Sequence, residues 1–207
     1  QDYKVVPYDP RIGATLSSHE VAQGYREVDD PSITIRFPVI DEDKTYFLVW
    51  TTTPWTLPAN LALAVGASID YAFVEHGGET LILATQLVDK VLGEGPHTIV
   101  RRVKGEDLMG LRYQRLFDEL PAEGDICRVL TADFVSTDDG TGIVHTAPAY
   151  GVDDLALGQA HGLPVVHGIG LDGCFKDEVT PVQGQFFKDA DPTIIEILRE
   201  RGLLFRS

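Results

Sequence analysis

Two stretches of this sequence, far apart in the chain, combine hydroxyl, imidazole and carboxylate side chains with turn-forming residues. The first is Val49-Trp50-Thr51-Thr52-Thr53-Pro54-Trp55-Thr56-Leu57-Pro58-Ala59-Asn60, which begins at the end of the apolar run 46–50. The second extends from Gly140 to Asp154 and contains His145. Polar groups at the end of a strand commonly line a pocket, because loops carry many binding and catalytic residues. We therefore treat both stretches as candidate walls of one site.

The three threonines at positions 51–53 provide hydroxyl groups that can each donate one hydrogen bond and accept others. They stand beside the flat ring of Trp50, and such a wall suits a ribose or an ester. A structural interpretation is equally open at this point. Pro54 and Pro58 would fix a turn after a strand, and the threonine hydroxyls would satisfy its backbone groups.

The second stretch adds an imidazole and a carboxylate. His145 closes a predicted strand, Gly151 permits a tight turn, and Asp154 falls in the first turn of a predicted helix. A carboxylate there would ordinarily complement the helix dipole. If it faces a pocket instead, it would hold an ammonium group. At about 4 Å and an effective dielectric near 20, that attraction is on the order of 4 kcal/mol before desolvation.

The overall composition limits the classes of function. With 207 residues, 43% of them hydrophobic, the chain can bury a core in one domain. The net charge of −15 argues against a protein that grips a long phosphate backbone, so any nucleic-acid contact should be small and local. The one basic cluster, formed by Arg101, Arg102 and Lys104, is explained as well by a solvated strand end. Without a signal peptide or a long apolar run, we expect a cytoplasmic protein that does not enter the membrane.

The sequence offers no sign of a metal, a disulfide or a cofactor. Cys127 and Cys174 are far apart and outside any Cys-x-x-Cys pair, and the histidines lack metal-ligand spacing. The residues 168–173 match the Gly-x-Gly-x-x-Gly dinucleotide fingerprint, but no helical pattern follows them. We therefore expect a turn between strands there. The Gly-x-Ser-x-Gly, Walker and His-Glu-x-x-His motifs are absent.

Strand patterns dominate the first two thirds of the chain. Alternating and short apolar runs predict strands at 33–39, 46–50, 71–75, 80–84, 98–103, 126–130 and 143–145. Helices are predicted at 85–92, 153–161 and 191–201, the last with Asp191 as N-cap and Pro192 at the first helical position. We therefore expect a strand-rich α+β fold with a closed or nearly closed β-barrel core and peripheral helices.

The two polar stretches together resemble connective polypeptide 1, the editing insertion of the class I aminoacyl-tRNA synthetases for isoleucine, valine and leucine. The valine and leucine enzymes typically carry Thr-Thr-Arg-Pro and an acid where this chain has Thr51-Thr52-Thr53-Pro54-Trp55, and Lys or Met where His145 stands. Both differences indicate the isoleucine enzymes. The resemblance extends to residues 16–25 and 189–191. It implies that residues 1–207 form a single editing domain with the class I synthetase editing fold, cut from a larger synthetase into which it is inserted.

Two departures narrow what this resemblance implies. The sequence Asp9-Pro10-Arg11-Ile12 stands where many relatives read Cys-Pro-Arg-Cys, so a zinc site at that position is not expected. The synthetase signatures His-x-Gly-His and Lys-Met-Ser-Lys-Ser are also missing. The chain should therefore neither activate an amino acid nor charge tRNA.

The resemblance implies hydrolysis of valine wrongly attached to tRNA(Ile), and of valyl-adenylate, with isoleucine excluded by pocket size. The expected partners are the tRNA(Ile) 3′ end carrying valine, valyl-adenylate and the catalytic domain of the synthetase. Asp154 would bind the substrate ammonium group, while His145 and Thr53 would border the side-chain pocket. The remaining candidates would hold the terminal adenosine, the ester carbonyl or the attacking water: Trp50 as a binding residue, and Thr51, Thr52 and Asn60 as catalytic residues.

Two other functions remain open from the residues alone. His145 and Asp154 could form a base and its orienting acid, acting on some other ester without a metal. Alternatively, the chain could be a noncatalytic module that binds an aminoacylated tRNA end.

Overall fold

The computed structural model describes residues 4–23 and 30–207. Gly24 and Tyr25, the last two residues of the family-like stretch 16–25, lie outside the described residues. No helix within these two ranges is long and apolar enough to span a bilayer.

Short strands make up most of the regular structure. The strands are β1 Tyr8–Asp9, β2 Ala14–Thr15, β3 Ile33–Pro38, β4 Thr45–Thr51, β5 Ala62–Val65, β6 Asp70–His76, β7 Glu79–Ala84, β8 Thr98–Lys104, β9 Arg128–Thr131, β10 Ile143–Thr146 and β11 Leu204–Arg206. The α-helices are α1 Ser18–Gln23, α2 Val88–Leu92, α3 Gly105–Leu108, α4 Val152–His161 and α5 Asp191–Glu200. Short 3-10 turns occupy Pro54–Ala59, Thr85–Leu87 and Thr180–Val182.

The strands form two main sheets. The larger has six strands in the order β11-β3-β4-β7-β6-β8, and all its pairs are antiparallel except β4 with β7. The smaller has three strands in the order β10-β5-β9, with β5 antiparallel to β10 and parallel to β9. The pair β1 and β2 forms a separate ladder.

The predicted closed barrel is not confirmed, because neither sheet of the described chain closes on itself. Strands β11 and β8 are the edges of the larger sheet, and β10 and β9 are those of the smaller. Residues 110–114 link the two sheets through the isolated bridges Val39–Tyr113 and Arg112–Arg128. Single bridges cannot continue a ladder across the gap, so the fold remains two linked sheets with helices at the periphery.

Strand β5 is buried on both of its faces. Leu63 and Val65 pack into the main core between the sheets, while Ala62 and Ala64 pack into a second cluster with Leu130. A strand of this kind has no polar face, so the alternation that predicts half-buried strands does not reveal it. The sequence prediction therefore missed β5, although it found its neighbours.

Most of the predicted elements are confirmed with small shifts of their bounds. The strand predicted at 126–130 begins only at Arg128, because Cys127 has a positive φ of 57°. Residues 168–173 form a turn linked by the bridges Ile169–Phe175 and Cys174–Phe186, with no helix directly after it, as expected.

The basic cluster lies on β8, an edge strand of the larger sheet. Arg101 and Lys104 are both exposed; the Arg101 guanidinium lies 5.0 Å from the centre of the Phe73 ring, and the Lys104 ammonium lies 2.8 Å from the Asp70 carboxylate. Charged side chains protect a sheet edge from pairing with other chains. These contacts support the structural interpretation of the cluster.

The predicted N-cap role of Asp191 is wrong by one residue. Ala190 occupies the cap position and Asp191 is the first residue of α5. The Asp191 side chain instead accepts a hydrogen bond of 2.9 Å from the backbone N–H of Trp55, in the 3-10 turn Pro54–Ala59. Asp191 is only 3% exposed, and burial raises the pKa of its carboxyl group to about 6. Helix α5 thus fixes the turn at the cost of burying an acid.

This buried acid predicts a specific dependence of stability on pH. Between about pH 4 and pH 6 the folded chain keeps a proton on Asp191 that the unfolded chain has released, so the free energy of unfolding should fall as the pH rises. The loss is on the order of 3 kcal/mol. The variant Asp191→Asn keeps an acceptor for Trp55 N–H but cannot ionise, and should lack this component in urea unfolding followed by tryptophan fluorescence.

The exposed neighbour Asp189 provides the matched control. Asp189→Asn should preserve the slope of stability against pH that the unaltered chain shows. Parallel profiles for the unaltered chain and Asp191→Asn would contradict the assignment.

Candidate functional site

A cavity of about 260 Å³ opens where the end of β4, the turn Pro54–Ala59, the end of β10 and the first turn of α4 meet. It is lined by Trp50, Thr51, Thr52, Thr53, Thr56, Val144, His145, Ala147, Tyr150 and Asp154. The structure thus brings together six of the seven residues that the sequence singled out. Asn60 is the exception, since it lies behind the cavity wall and is 1% exposed.

The pairing of β10 with β5 positions His145. In the antiparallel register, His145 stands opposite Leu63 and Thr146 opposite Ala62. Leu61 N–H then donates to the Thr146 carbonyl, which continues the pairing to the end of β10. Because the turn Pro54–Ala59 runs into β5 through Asn60, the same pairing also positions the threonine wall.

The threonines serve both interpretations that the sequence left open, since they stabilise the turn and also line the cavity. The Thr51 hydroxyl accepts the backbone N–H of Thr53 at 3.1 Å, and the Thr53 hydroxyl lies 3.3 Å from that of Thr51 and 3.4 Å from that of Thr56. Thr51 therefore stabilises the turn. The hydroxyl of Thr52 has no hydrogen-bond partner within residues 4–23 and 30–207, so it is available to a bound molecule.

Trp50 forms one side of the cavity and remains 36% exposed. Its indole N–H donates to the Ser32 hydroxyl at 2.7 Å, which fixes the ring. Gly140 packs against this ring with a φ of 74°, and a Cβ atom there would lie 3.0 Å from a ring carbon. The glycine at this position therefore lets the loop before β10 approach the tryptophan.

His145 is 8% exposed, and both its ring nitrogens lie near hydrogen-bonding partners. Nε2 lies 2.7 Å from the Thr56 hydroxyl, and Nδ1 lies 3.3 Å from the amide nitrogen of Asn60. That amide nitrogen also donates to the Ala62 carbonyl at 3.0 Å. A carbonyl can only accept, so the Asn60 group facing both partners is the NH₂ donor, and Nδ1 must accept. The proton of the neutral ring is therefore on Nε2.

This arrangement keeps the imidazole neutral. Burial lowers the pKa of His145 to about 4, and a donor facing Nδ1 also disfavours a second ring proton. Nε2–H donates to the Thr56 hydroxyl, whose own proton goes to the Thr53 carbonyl at 2.9 Å. Neither nitrogen retains a free lone pair, so His145 as placed is not equipped to act as a general base.

Asp154 also lines the cavity and is half-buried in the first turn of α4. Its carboxylate accepts the backbone N–H of Ala147 at 2.7 Å. Burial raises the pKa of this carboxyl group, while the bond from Ala147 opposes the shift. A side chain at Gly151 would collide with the second carboxylate oxygen, so a larger residue there would displace the Asp154 side chain. Among the described residues, no basic side chain lies within ion-pair distance of Asp154.

Several residues of the site were missed from the sequence. Thr56, Tyr150, Ala147 and Val144 line the cavity, and Thr56 could have been found as a fourth hydroxyl in the first polar stretch. Three further residues act from behind the wall: Tyr113 bonds to Asn60, Arg115 bonds to the Pro58 and Asn60 carbonyls, and Asp191 bonds to Trp55. These contacts join residues far apart in sequence, so no local pattern reports them.

No group of three or more potential ligands that could hold a metal ion occurs in residues 4–23 and 30–207. What the cavity offers a bound molecule is a carboxylate, threonine hydroxyls, a neutral imidazole and the side of an indole ring. This set matches an ammonium group and an ester or a ribose.

Sequence comparison finds relatives along the whole chain. The isoleucine--tRNA ligase of Clostridium kluyveri is 48% identical over 205 residues, which cover 99% of this chain and 20% of that protein. The isoleucine--tRNA ligase of Clostridium novyi is 49% identical over 205 residues, which likewise cover 99% of this chain and 20% of that protein.

Solved structures share the fold at low sequence identity. The crystal structure of GlLeuRS-CP1 matches with a TM-score of 0.67 and 16% identity, over 85% of this chain and 98% of that one. The editing domain of the P. knowlesi cytosolic leucyl-tRNA synthetase matches with a TM-score of 0.64 and 13% identity, over 86% of this chain and 96% of that one.

No protein-family model matches the chain. The chain spans about one fifth of the length of the curated relatives that it matches. At these identities the chain is, along its whole length, a homologue of about one fifth of the isoleucine--tRNA ligases, and it has the fold of a CP1 editing domain.

Proposed function

We propose that the cavity hydrolyses valine esterified to tRNA(Ile), and valyl-adenylate, and that it excludes isoleucine by size. One observation carries the proposal: a carboxylate without a basic partner in the described chain, Asp154, shares a small cavity with a neutral, buried imidazole, His145. The relatives named isoleucine--tRNA ligase and the CP1 editing-domain fold support the same substrate class.

Asp154 is the group that binds the α-ammonium of the substrate. Its carboxylate is oriented by Ala147 N–H and is half-buried, so it is partly desolvated before a substrate arrives. A cation placed beside it offsets the electrostatic penalty of burial. This contact selects an aminoacyl ester with a free amino group over other esters.

His145 and Thr53 border the space for the substrate side chain. A cavity of about 260 Å³ must hold the whole aminoacyl group, so a rigid wall decides whether one more methylene fits. One methylene in an apolar pocket is worth about 1–3 kcal/mol, a general magnitude for which isoleucyl-tRNA synthetases are themselves the standard example. A second, smaller site therefore multiplies the selectivity of the synthetic site.

Water is the nucleophile in this proposal. The ring nitrogens of His145 are both engaged and Asp154 is assigned to the ammonium, which leaves no side chain of the cavity placed to remove a proton. A positioned water, helped by the neighbouring ribose hydroxyl, would attack the ester carbonyl. Thr52 would donate to the developing oxyanion or to this water, with Thr51 and Trp50 holding the adenosine side. Asn60 would act through His145 and not by contact with the substrate.

The geometry disfavours the alternative in which His145 acts as a general base oriented by Asp154. The two side chains make no hydrogen bond to each other, and each is held by other partners: Thr56 and Asn60 for the ring, Ala147 for the carboxylate. A noncatalytic binding module remains the second alternative, and it differs from an editing domain by its lack of any deacylation.

In this proposal the whole chain acts as one editing domain of a larger synthetase, alongside the synthetic catalytic domain. The net charge of −15 disfavours contact with a long tRNA surface. The cavity would therefore receive only the 3′ end of tRNA(Ile), and most of the affinity for tRNA would reside in the rest of the synthetase.

Replacing the imidazole should relax selectivity without abolishing hydrolysis. In His145→Ala we expect hydrolysis of valyl-tRNA(Ile) to persist and hydrolysis of isoleucyl-tRNA(Ile) to rise by about 10-fold or more, because the wall no longer excludes the extra methylene. Both rates would be measured with this chain grafted into the Clostridium kluyveri ligase in place of the matching segment. Loss of both activities would favour a base role for His145 instead.

Neutralising the carboxylate should abolish hydrolysis. We expect Asp154→Asn to lower kcat/KM for valyl-tRNA(Ile) by at least about 100-fold in the same graft, since a charge-assisted contact is lost on substrate binding. The control is Asp153→Asn, which changes the exposed acid next to it on α4 and should retain the parent rate. Equal rates for both variants would remove the ammonium-binding assignment, and no deacylation by the unaltered graft would favour a binding module.

A further inference from the structure

A chain of hydrogen bonds runs from the protein core to the cavity wall. The Tyr113 hydroxyl donates to the side-chain carbonyl of Asn60 at 2.5 Å, and the Asn60 amide nitrogen faces Nδ1 of His145 at 3.3 Å. The other ring nitrogen donates to the Thr56 hydroxyl. Tyr113 and Asn60 are 0% and 1% exposed, and neither lines the cavity.

Two fixed groups determine which way the Asn60 amide points. Tyr113 supplies a donor on one side and the Ala62 carbonyl supplies an acceptor on the other. A rotated amide would place oxygen against the Ala62 carbonyl and NH₂ against the tyrosine hydroxyl. Unsatisfied polar groups are costly in a buried site, so the observed orientation is strongly preferred.

We propose that Tyr113 and Asn60 are positioning residues that set the discrimination between valine and isoleucine by holding His145 in its Nε2–H tautomer and in one ring orientation. The proposal rests on the proposed function, because it explains how the wall that measures the substrate side chain is kept rigid. Tyr113 acts through two other residues and never touches the substrate.

The tautomer of His145 is what links this chain of hydrogen bonds to the cavity. With the proton on Nε2, the ring donates to Thr56, whose hydroxyl in turn donates to the Thr53 carbonyl. With the proton on Nδ1, the ring would face the Asn60 NH₂ group donor to donor, and the Thr56 hydroxyl would lose its donor. A change at Asn60 therefore reaches two of the residues that line the side-chain space.

Two variants disturb the chain of hydrogen bonds in different ways. Tyr113→Phe removes the donor that holds the Asn60 carbonyl and leaves the aromatic packing in place. Asn60→Asp replaces the NH₂ group by a carboxylate oxygen that faces Nδ1 and calls for a proton there, while the other carboxylate oxygen still accepts from Tyr113. The matched control is Tyr71→Phe, because Tyr71 is also 0% exposed and hydrogen-bonded, but to Gly66 N–H and the Gly142 carbonyl.

The first measurement is the tautomer of His145, read from the ¹⁵N chemical shifts of its ring in this chain between pH 6 and 8. We expect the Nε2–H form in the unaltered chain and in Tyr71→Phe. We expect an Nδ1-protonated ring in Asn60→Asp, and exchange broadening or a mixed population in Tyr113→Phe. An unchanged Nε2–H ring in both site variants would overturn the proposal, even if their stability falls.

The second measurement is the ratio of kcat/KM for valyl-tRNA(Ile) to that for isoleucyl-tRNA(Ile), in the graft described above. The ratio should fall by about tenfold in Tyr113→Phe and in Asn60→Asp, and should stay unchanged in Tyr71→Phe. A merely structural role would lower both rates together and keep the ratio, which would overturn the proposal. If the unaltered graft hydrolyses neither ester, the proposed function and this selectivity role both fail, while the ring shifts still decide separately whether Tyr113 and Asn60 fix the tautomer.

Discussion

The antiparallel pairing of β5 with β10 is the constraint on which the site depends. It places His145 opposite Leu63, on the face of the smaller sheet that packs into the main core. Since successive side chains of a strand point to opposite faces, a slip of one residue would turn the imidazole away from the cavity. Strand β5 also continues the turn Pro54–Ala59, so one register aligns both walls.

Polar groups buried behind the cavity turn this alignment into a fixed geometry. The Asn60 side chain uses its oxygen and both amide hydrogens, in bonds to Tyr113, Ala62 and His145. Arg115 bonds to the Asn60 and Pro58 carbonyls at the end of the turn, and Asp191 bonds at its start. Fully satisfied networks rigidify a core, whereas partly satisfied ones destabilise it. The turn is thus held at both ends by side chains from distant parts of the chain.

The sequence predicts β3 from its period-two alternation and β4 from its short apolar run. It fails for β5, which is apolar on both faces, and for the closed barrel, which neither sheet of the described chain forms. Six of the seven candidate residues line the cavity, because two local motifs contain them. The position of Asn60 behind the wall could not be predicted, since its partner Tyr113 is 53 residues away in sequence.

The separation of His145 from Asp154 divides the cavity between two titratable groups on which burial acts in opposite directions. Burial lowers the pKa of the imidazole to about 4 and raises that of the carboxyl group. Both shifts favour the neutral form of the group, since burial disfavours charge. Under the proposed function, the imidazole measures the side chain and the carboxylate binds the ammonium with no hydrogen bond between the two groups, so selectivity and substrate capture can change independently in variants.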